Sequence, residues 1–188
     1  MCEQLAPRLA GDADARRHEP FDLLAALLDQ LAGVLEATTD SQYTQRPVGV
    51  VSSSLGGHVR HCLDHFNALC RGAEKGSIDY DNRERGTMVE TSRRAALSTI
   101  AELQKRLERL DTSMLPMPLR IRSVISSDAQ SLETVTSLGR ELVFVLSHTV
   151  HHNALLAVMC RTLGIPLPDD FGYAPSTLAH AAEAACAR

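Results

Sequence analysis

The chain has 188 residues, enough for one domain with a substantial hydrophobic core, so folding alone requires neither disulfides nor metals. A net charge of -4 at pH 7, without a run of lysine or arginine, argues against a nucleic-acid partner. Five cysteines without paired C-x-x-C spacing, and no apolar N-terminal segment, favour a reducing cytoplasm. We expect no membrane span, because no stretch approaches the required length of continuous apolar sequence.

The first part of the chain predicts a leader and two helices. Residues 1–20 mix charges with Gly and Pro without periodicity, which predicts a flexible leader, and residues 21–188 predict a single domain. The first helix is predicted from about Asp22 to Thr38, with leucines at helical spacing. The second is capped by one of the serines from Ser52 to Ser54 and ends near Cys70, before a glycine.

A third helix and a hairpin are predicted next. The helix is capped near Thr91 or Ser92 and carries aliphatic residues at helical spacing as far as Leu110. Residues 119–125 then alternate between apolar and polar side chains, and residues 132–135 do the same after a polar turn. This alternation on both sides of a turn predicts a small β-hairpin.

The last long helix is predicted to begin after Ser137 and to end near Leu163, where Gly164 follows. A short C-terminal helix follows Pro175. Four long amphipathic helices in sequence predict an all-α fold, namely a four-helix bundle with a hairpin insertion. The core faces of such bundles are a usual place for metal sites.

The distribution of histidine carries the chemical signal. Six of the eight histidines fall in residues 58–65 and 148–152. His148 and His152 are four residues apart, so they stand one helical turn from each other and can present two imidazoles to one ion. His151 is rotated away by about 60°. Burying two imidazoles is costly unless each has a partner, so the pair indicates a divalent metal site rather than two separately satisfied core histidines.

The ligand from the second helix is less clear from periodicity. His58 and His65 lie at the edge of the apolar face of that helix, and His61 lies further round. Periodicity alone favours His58 or His65. His61 requires the polar margin of the helix to meet the last helix around a wet pocket, with Arg60 and Asp64 on a solvated face or at the rim of that pocket.

Residues 57–66, GHVRHCLDHF, and residues 140–152, RELVFVLSHTVHH, resemble the DinB/YfiT superfamily of proposed metalloenzymes. The similarity spans nearly the whole chain after the leader. It implies a four-helix bundle that binds one divalent ion through a His from an H-x-x-D segment and two from H-x-x-x-H. By position, His61 with Asp64 matches the first element, and His148 with His152 matches the second. The resemblance therefore selects His61, with His65 and His58 as alternative ligands.

The resemblance also implies a chemistry. Relatives of this type hold zinc or nickel and are metal-dependent transferases or isomerases that act with low-molecular-weight thiols. Iron or manganese also suits imidazole ligands, so the sequence does not choose the metal. Three imidazoles leave a position open for a thiol or a water, which favours a thiol-linked transferase or a hydrolase acting on a small molecule. Glu141 is a candidate base or an acceptor for a ligand; alternatively its charge complements the helix dipole.

Two further segments resemble one branch of the superfamily. In the loop from Asp79 to Arg85, Tyr80, Arg83 and Arg85 predict an anion-binding rim or, more simply, a solvated loop. Residues 170–176 predict a loop that closes against the bundle. Exposed apolar positions on bundle helices are compatible with a homodimer. The alternative to an enzyme is a non-catalytic or stress-related bundle whose ion only joins two helices, with the fourth position closed.

Overall fold

The computed structural model describes residues 12–82 and 86–186 of the chain. Within these ranges the α-helices are α1 (Asp12–Glu36), α2 (Asp40–Thr44), α3 (Leu55–Lys75), α4 (Met88–Thr91), α5 (Arg93–Leu107), α6 (Leu138–Thr162) and α7 (Pro175–Cys186). The strands are β1 (Ser77–Asp79), β2 (Pro118–Val124) and β3 (Ser131–Ser137). The fold is therefore mostly helical with one small sheet.

Helix α1 begins well before the predicted start at Asp22. It runs from Asp12 and passes through Pro20, so part of the predicted leader is helical. Residues 1–11 of that leader lie outside the described residues. The difference arises because proline usually marks the beginning of a helix and residues 12–19 have no apolar periodicity, so the sequence pattern starts only after Pro20.

Serine caps begin three of the long helices, as predicted. The hydroxyl oxygen of Ser54 accepts a hydrogen bond from Gly57 N, that of Ser92 from Ala95 N, and that of Ser137 from Arg140 N. Each hydroxyl satisfies a backbone donor that has no partner within its own helix.

Helix α3 extends beyond the predicted end near Cys70. It continues through Gly72 to Lys75 and stops at Gly76, which adopts a left-handed conformation with φ 75°. Gly72 is a packing glycine instead of a terminator, because a Cβ atom there would lie 2.3 Å from Cγ1 of Ile78. The missing side chain lets β1 approach the helix.

The predicted hairpin is confirmed, and a third strand joins it. Strands β2 and β3 pair antiparallel, with Leu119 opposite Thr136. Strand β1 pairs parallel to β2, with Ile78 opposite Ile121, which gives the order β1-β2-β3. The all-α expectation needs this correction. Three residues are too few to show an alternating pattern, so β1 was not visible in the sequence.

The four long helices share one hydrophobic core. Helices α1 and α3 each contact both α5 and α6. Leu28, Leu63, Ile100 and Leu156 are buried representatives of the four helices in that core. Phe171 from the loop before α7 is buried in the same core, which confirms that this loop closes against the helices. The α3–α6 contact brings the two histidine segments together.

Helix α6 corrects the expectation about membrane spans. Among the described residues, it is long and apolar enough to cross a membrane by length and composition. Its most apolar window is 44% buried within the protein, and the helix carries the buried carboxylate of Glu141 and two of the clustered histidines. The core helix of a protein meets the same description, so length and composition alone do not assign α6 to a membrane.

Gly56 provides a test of the α3–α4 packing. A Cβ atom at this position would lie 2.2 Å from the carbonyl oxygen of Glu90 and 2.7 Å from Cε1 of Tyr43. We expect Gly56→Ala to lower the free energy of unfolding in urea by about 1–3 kcal/mol, because backbone must move to accept the methyl group. Gly33→Ala is the control, since Gly33 lies within α1 with nothing within 4 Å of its Cβ position. Equal stability of the two variants would contradict the tight contact.

Candidate metal centre

Five histidines from two helices meet where α3 packs on α6. Helix α3 supplies His58, His61 and His65, which lie on a stripe about 60° wide at 100° per residue. Helix α6 supplies His148 and His152, one turn apart. The polar margin of α3 faces α6. This is the helix orientation that a ligand role for His61 requires.

The tightest group consists of His61, His65 and His148. One ring nitrogen from each lies within 4.8 Å of the other two, so the three could hold a metal ion. Nε2 of His148 lies 3.0 Å from Nε2 of His61, and the rings of His65 and His148 stack with centroids 4.0 Å apart. Nδ1 of His65 lies 2.8 Å from the carbonyl oxygen of His61. When Nδ1 donates that hydrogen bond, Nε2 keeps its lone pair for a ligand bond.

His152 adjoins this group and also contacts His58. Its ring centroid lies 4.5 Å from that of His61 and 4.5 Å from that of His148. Its Nδ1 lies 3.4 Å from Nδ1 of His58. The structure thus brings together all three predicted ligands and both alternatives, while His151 is exposed. His65, which periodicity favoured, belongs to the tightest group, and His152 lies at its side.

The donor set fits a divalent cation. Two imidazole nitrogens that face each other share at most one proton, and this occurs both at His61–His148 and at His58–His152. Nε2 of His58 is buried and has no hydrogen-bond partner among the described residues. Burial lowers the pKa of His58, which favours the neutral form that binds metals. A cation shared by these lone pairs offsets the cost of burying them.

The centre is partly open to solvent. His65 and His152 are buried, whereas His61, His148 and His58 are half-buried. Phe144 stacks on His148 with ring centroids 5.5 Å apart and covers one side of the cluster. The imidazoles of His58, His61 and His148 are thus partly accessible to solvent.

Glu141 connects to the histidines through Tyr80. The carboxylate is 1% exposed and accepts hydrogen bonds from Tyr80 Oη at 2.9 Å, Thr136 Oγ1 at 2.8 Å and Arg140 at 3.2 Å. The Tyr80 ring stacks on His65 with centroids 5.1 Å apart. Burial and the adjacent carboxylate both raise the pKa of Tyr80, so its hydroxyl stays a donor. Glu141 thus positions Tyr80 and, through it, His65.

Tyr80 does not lie where the predicted anion-binding rim of Tyr80, Arg83 and Arg85 would place it. Tyr80 is buried between Glu141 and the histidines instead of lying in a solvated loop. Arg83 and Arg85 lie outside the described residues. The alternation of Ile78 and Tyr80, both buried around exposed or half-buried neighbours, is the signal that could have placed Tyr80 inside.

Comparison with known proteins agrees with the site. Residues 23–156 match the model of the DinB superfamily. The chain belongs to the DinB superfamily. This superfamily is metal-binding, which agrees with a histidine group that could hold an ion. A crystal structure of the DinB-like protein YjoA from Bacillus subtilis is 18% identical, with a TM-score of 0.58 over 80% of this chain and 95% of that one. At this identity the likeness concerns the fold.

The chain is also similar to part of a longer curated protein. FK506-binding protein 5 of Rhizopus delemar is 38% identical over 104 residues, which are 55% of this chain and 27% of that protein. This chain therefore matches about a quarter of the length of that relative, and the relative's name describes the larger protein.

In this DinB-superfamily protein, Asp64 is the acidic residue of the H-x-x-D segment and lies on α3. Arg60 donates hydrogen bonds to Asp64 at 3.0 Å and to Glu90 at 3.1 Å. Arg60 and Asp64 also line a cavity of about 550 Å³. This cavity is bordered by residues of α4 and α5 instead of the last long helix, and the Arg60–Glu90 pair ties α3 to α4.

The described cysteines of this DinB-superfamily protein are structural. Cys62, Cys70 and Cys160 are buried, and burial raises their pKa values to about 12, 11 and 12. A thiol with so high a pKa is protonated near neutral pH and is a poor nucleophile or ligand. Cys62, Cys70 and Cys160 therefore act as small buried hydrophobes.

Proposed function

We propose that this protein is a metal-dependent enzyme that acts on a small molecule at its histidine centre. The observation that carries this proposal is the group of His61, His65 and His148, whose nitrogens converge while two of the three imidazoles are half-buried. A ligand set with solvent access is typical of catalytic sites, whereas structural sites are closed. In the same proposal, the four long helices form a four-helix bundle and the protein works in the cytoplasm.

The family resemblance proposes His61, His148 and His152 as the ligands, with His65 and His58 as alternatives. The tightest group in the structure has His65 in the place of His152. The ion is zinc or nickel, and iron or manganese also suits imidazole. When bound, such an ion lowers the pKa of a thiol or water at an open position and so supplies a nucleophile near neutral pH. The reaction classes are therefore thiol-linked transfer and hydrolysis, with a low-molecular-weight thiol as partner in the first.

The surrounding residues support the histidines. Glu141 holds Tyr80, and the Tyr80 ring lies against His65, so the imidazole of His65 is fixed from one side. The hydrogen bond between Nδ1 of His65 and the carbonyl oxygen of His61 sets its orientation. Second-layer contacts of this kind orient ligands and maintain an open site.

The alternative function is a non-catalytic, stress-related bundle with a structural ion. The observation in its favour is the number of imidazoles, because five cluster together and an open three-histidine site needs fewer. If His65 or His58 fills the remaining position, the ion only joins α3 to α6. The two functions differ in whether an outside ligand can reach the ion.

Cobalt substitution distinguishes the two functions. We expect the cobalt-loaded protein to develop a thiolate charge-transfer band in the near ultraviolet when glutathione is added, because an open position admits the thiol. The zinc- and nickel-loaded proteins are then assayed for conjugation of thiols to electrophiles and for ester hydrolysis. The His151→Ala variant is the control, since His151 is exposed. A cobalt spectrum that thiols, azide and cyanide all leave unchanged would favour the structural ion.

A further inference from the structure

A second cavity lies beyond the histidine centre, between the C-terminal half of α3 and the sheet. Its volume is about 350 Å³, within the range typical of small-molecule pockets. Four cationic side chains line it: Arg71 and Lys75 from α3, and Arg120 and Arg122 from β2. This concentration of positive charge is unusual in a chain whose net charge is -4.

The two carboxylates that line the cavity are already engaged. Glu133 accepts a hydrogen bond from Arg120 at 2.9 Å. Asp79 Oδ1 accepts from the backbone amides of Asp81 and Asn82, both at 3.0 Å, and so stabilises the turn that follows β1. Glu133 is thus paired with Arg120, whereas Asp79 keeps its negative charge, so the cavity lining carries four cations against two carboxylates.

The cations outnumber the carboxylates, so the cavity lining has a net positive charge. Within residues 12–82 and 86–186, Arg71 and Lys75 form no ion pair, and Arg122 donates only to the neutral hydroxyl of Ser131 at 3.3 Å. Arg71 and Lys75 are four residues apart on one helix, where like charges repel each other. A bound anion relieves this repulsion, and guanidinium groups match the geometry of carboxylate and phosphate oxygens.

The inner wall of the cavity is apolar. Ala68, Ile78 and Ile121 line it, and Ile78 is buried against Gly72 of α3. Apolar walls with a few converging charged groups are typical of sites for small organic ligands, in which the charges orient the ligand. A bare inorganic ion would leave these aliphatic side chains without contact.

We propose that this cavity binds a small organic anion, with a phosphate or carboxylate group held by Arg71, Lys75 and Arg122 and a short apolar body against Ile78 and Ile121. The site is separate from the histidine centre. Ala68 lies three residues beyond His65 on α3, and Arg71 lies almost one further turn away. The proposal therefore stands independently of the metal.

Calorimetric titration of the full-length protein at low ionic strength tests this proposal. The probes are phenyl phosphate and benzoate, which share a ring and differ in the anionic group. We expect saturable binding of at least one probe, and we expect Arg71→Gln with Lys75→Gln to weaken that binding at least tenfold. The probe that binds more tightly identifies the anionic group.

Control variants test whether binding depends on the residues that line the cavity. Arg94→Gln with Lys105→Gln removes the same charge from exposed positions on α5 that do not line the cavity, and binding should remain unchanged. His148→Ala should also leave binding unchanged. Equal weakening in both double variants would show general electrostatic attraction, and loss only in His148→Ala would place the anion at the histidine centre. Either result, or no saturable binding, overturns the proposal.

Discussion

We expect that replacing His61 and His148 with alanine removes nearly all divalent metal from the purified protein. The Nε2 atoms of His61 and His148 lie 3.0 Å apart, so each substitution removes a predicted ligand from the centre of the cluster. Elemental analysis of the tag-free protein should give about one zinc or nickel ion per chain in the parent and little in the double variant. Full metal content in the double variant would contradict the site, and no metal in the parent after incubation with zinc or nickel would refute it.

Single variants then identify the ligand set. His152→Ala should lose most of the metal if the ion lies among His61, His148 and His152, and His65→Ala should do so if it lies in the tightest group. His151→Ala tests specificity, because it removes an exposed imidazole from the same turn of α6. Thermal unfolding with and without a chelator adds a second measurement. A structural ion predicts a large loss of stability on chelation.

Glu141→Ala lowers the free energy of unfolding by about 3 kcal/mol, because the buried hydroxyl of Tyr80 and the half-buried hydroxyl of Thr136 lose their acceptor. The loss of the Arg140 contact contributes little, since the side chain of Arg140 is 63% exposed. Glu141→Gln keeps one carbonyl oxygen as an acceptor and should cost about half as much. Urea unfolding monitored by circular dichroism measures both variants.

Glu133→Ala provides the matched comparison for the Glu141 variants. Glu133 also pairs with an arginine, but both side chains are mostly exposed, so the expected change is within about 0.5 kcal/mol. A comparable loss in Glu133→Ala and Glu141→Ala would show that burial of the Glu141 network adds nothing. A stable Glu141→Ala protein with reduced metal affinity would instead show that the network acts mainly on His65.

Local sequence signals were sufficient for most of the helical framework. The caps were predictable to within a residue or two, as Ser52 to Ser54, Thr91 or Ser92, and Ser137, because a hydroxyl before an apolar periodic run satisfies free backbone donors. The hairpin was identifiable because its two strands alternate on either side of a polar turn. These features depend only on near neighbours in the chain.

The chain was harder to interpret where tertiary contacts override local propensity. Gly72 has the appearance of a helix terminator, yet α3 continues because Ile78 occupies the space that a side chain would fill. Tyr80 follows a strand of only three residues, too short for a pattern to show that its hydroxyl is buried against Glu141. In both cases the deciding partner lies on another element.

The histidine centre shows the same division. The spacing of His148 and His152 by itself determined that α6 presents two imidazoles on one face, because helical geometry is local. Only the tertiary structure decided which histidines of α3 meet them. Periodicity favoured His58 or His65, and the structure brings all three histidines of α3 to α6. His58 lies against His152, and both His61 and His65 contact His148. The rotation of one helix against another is set by the packing of the whole core, and no local spacing encodes it.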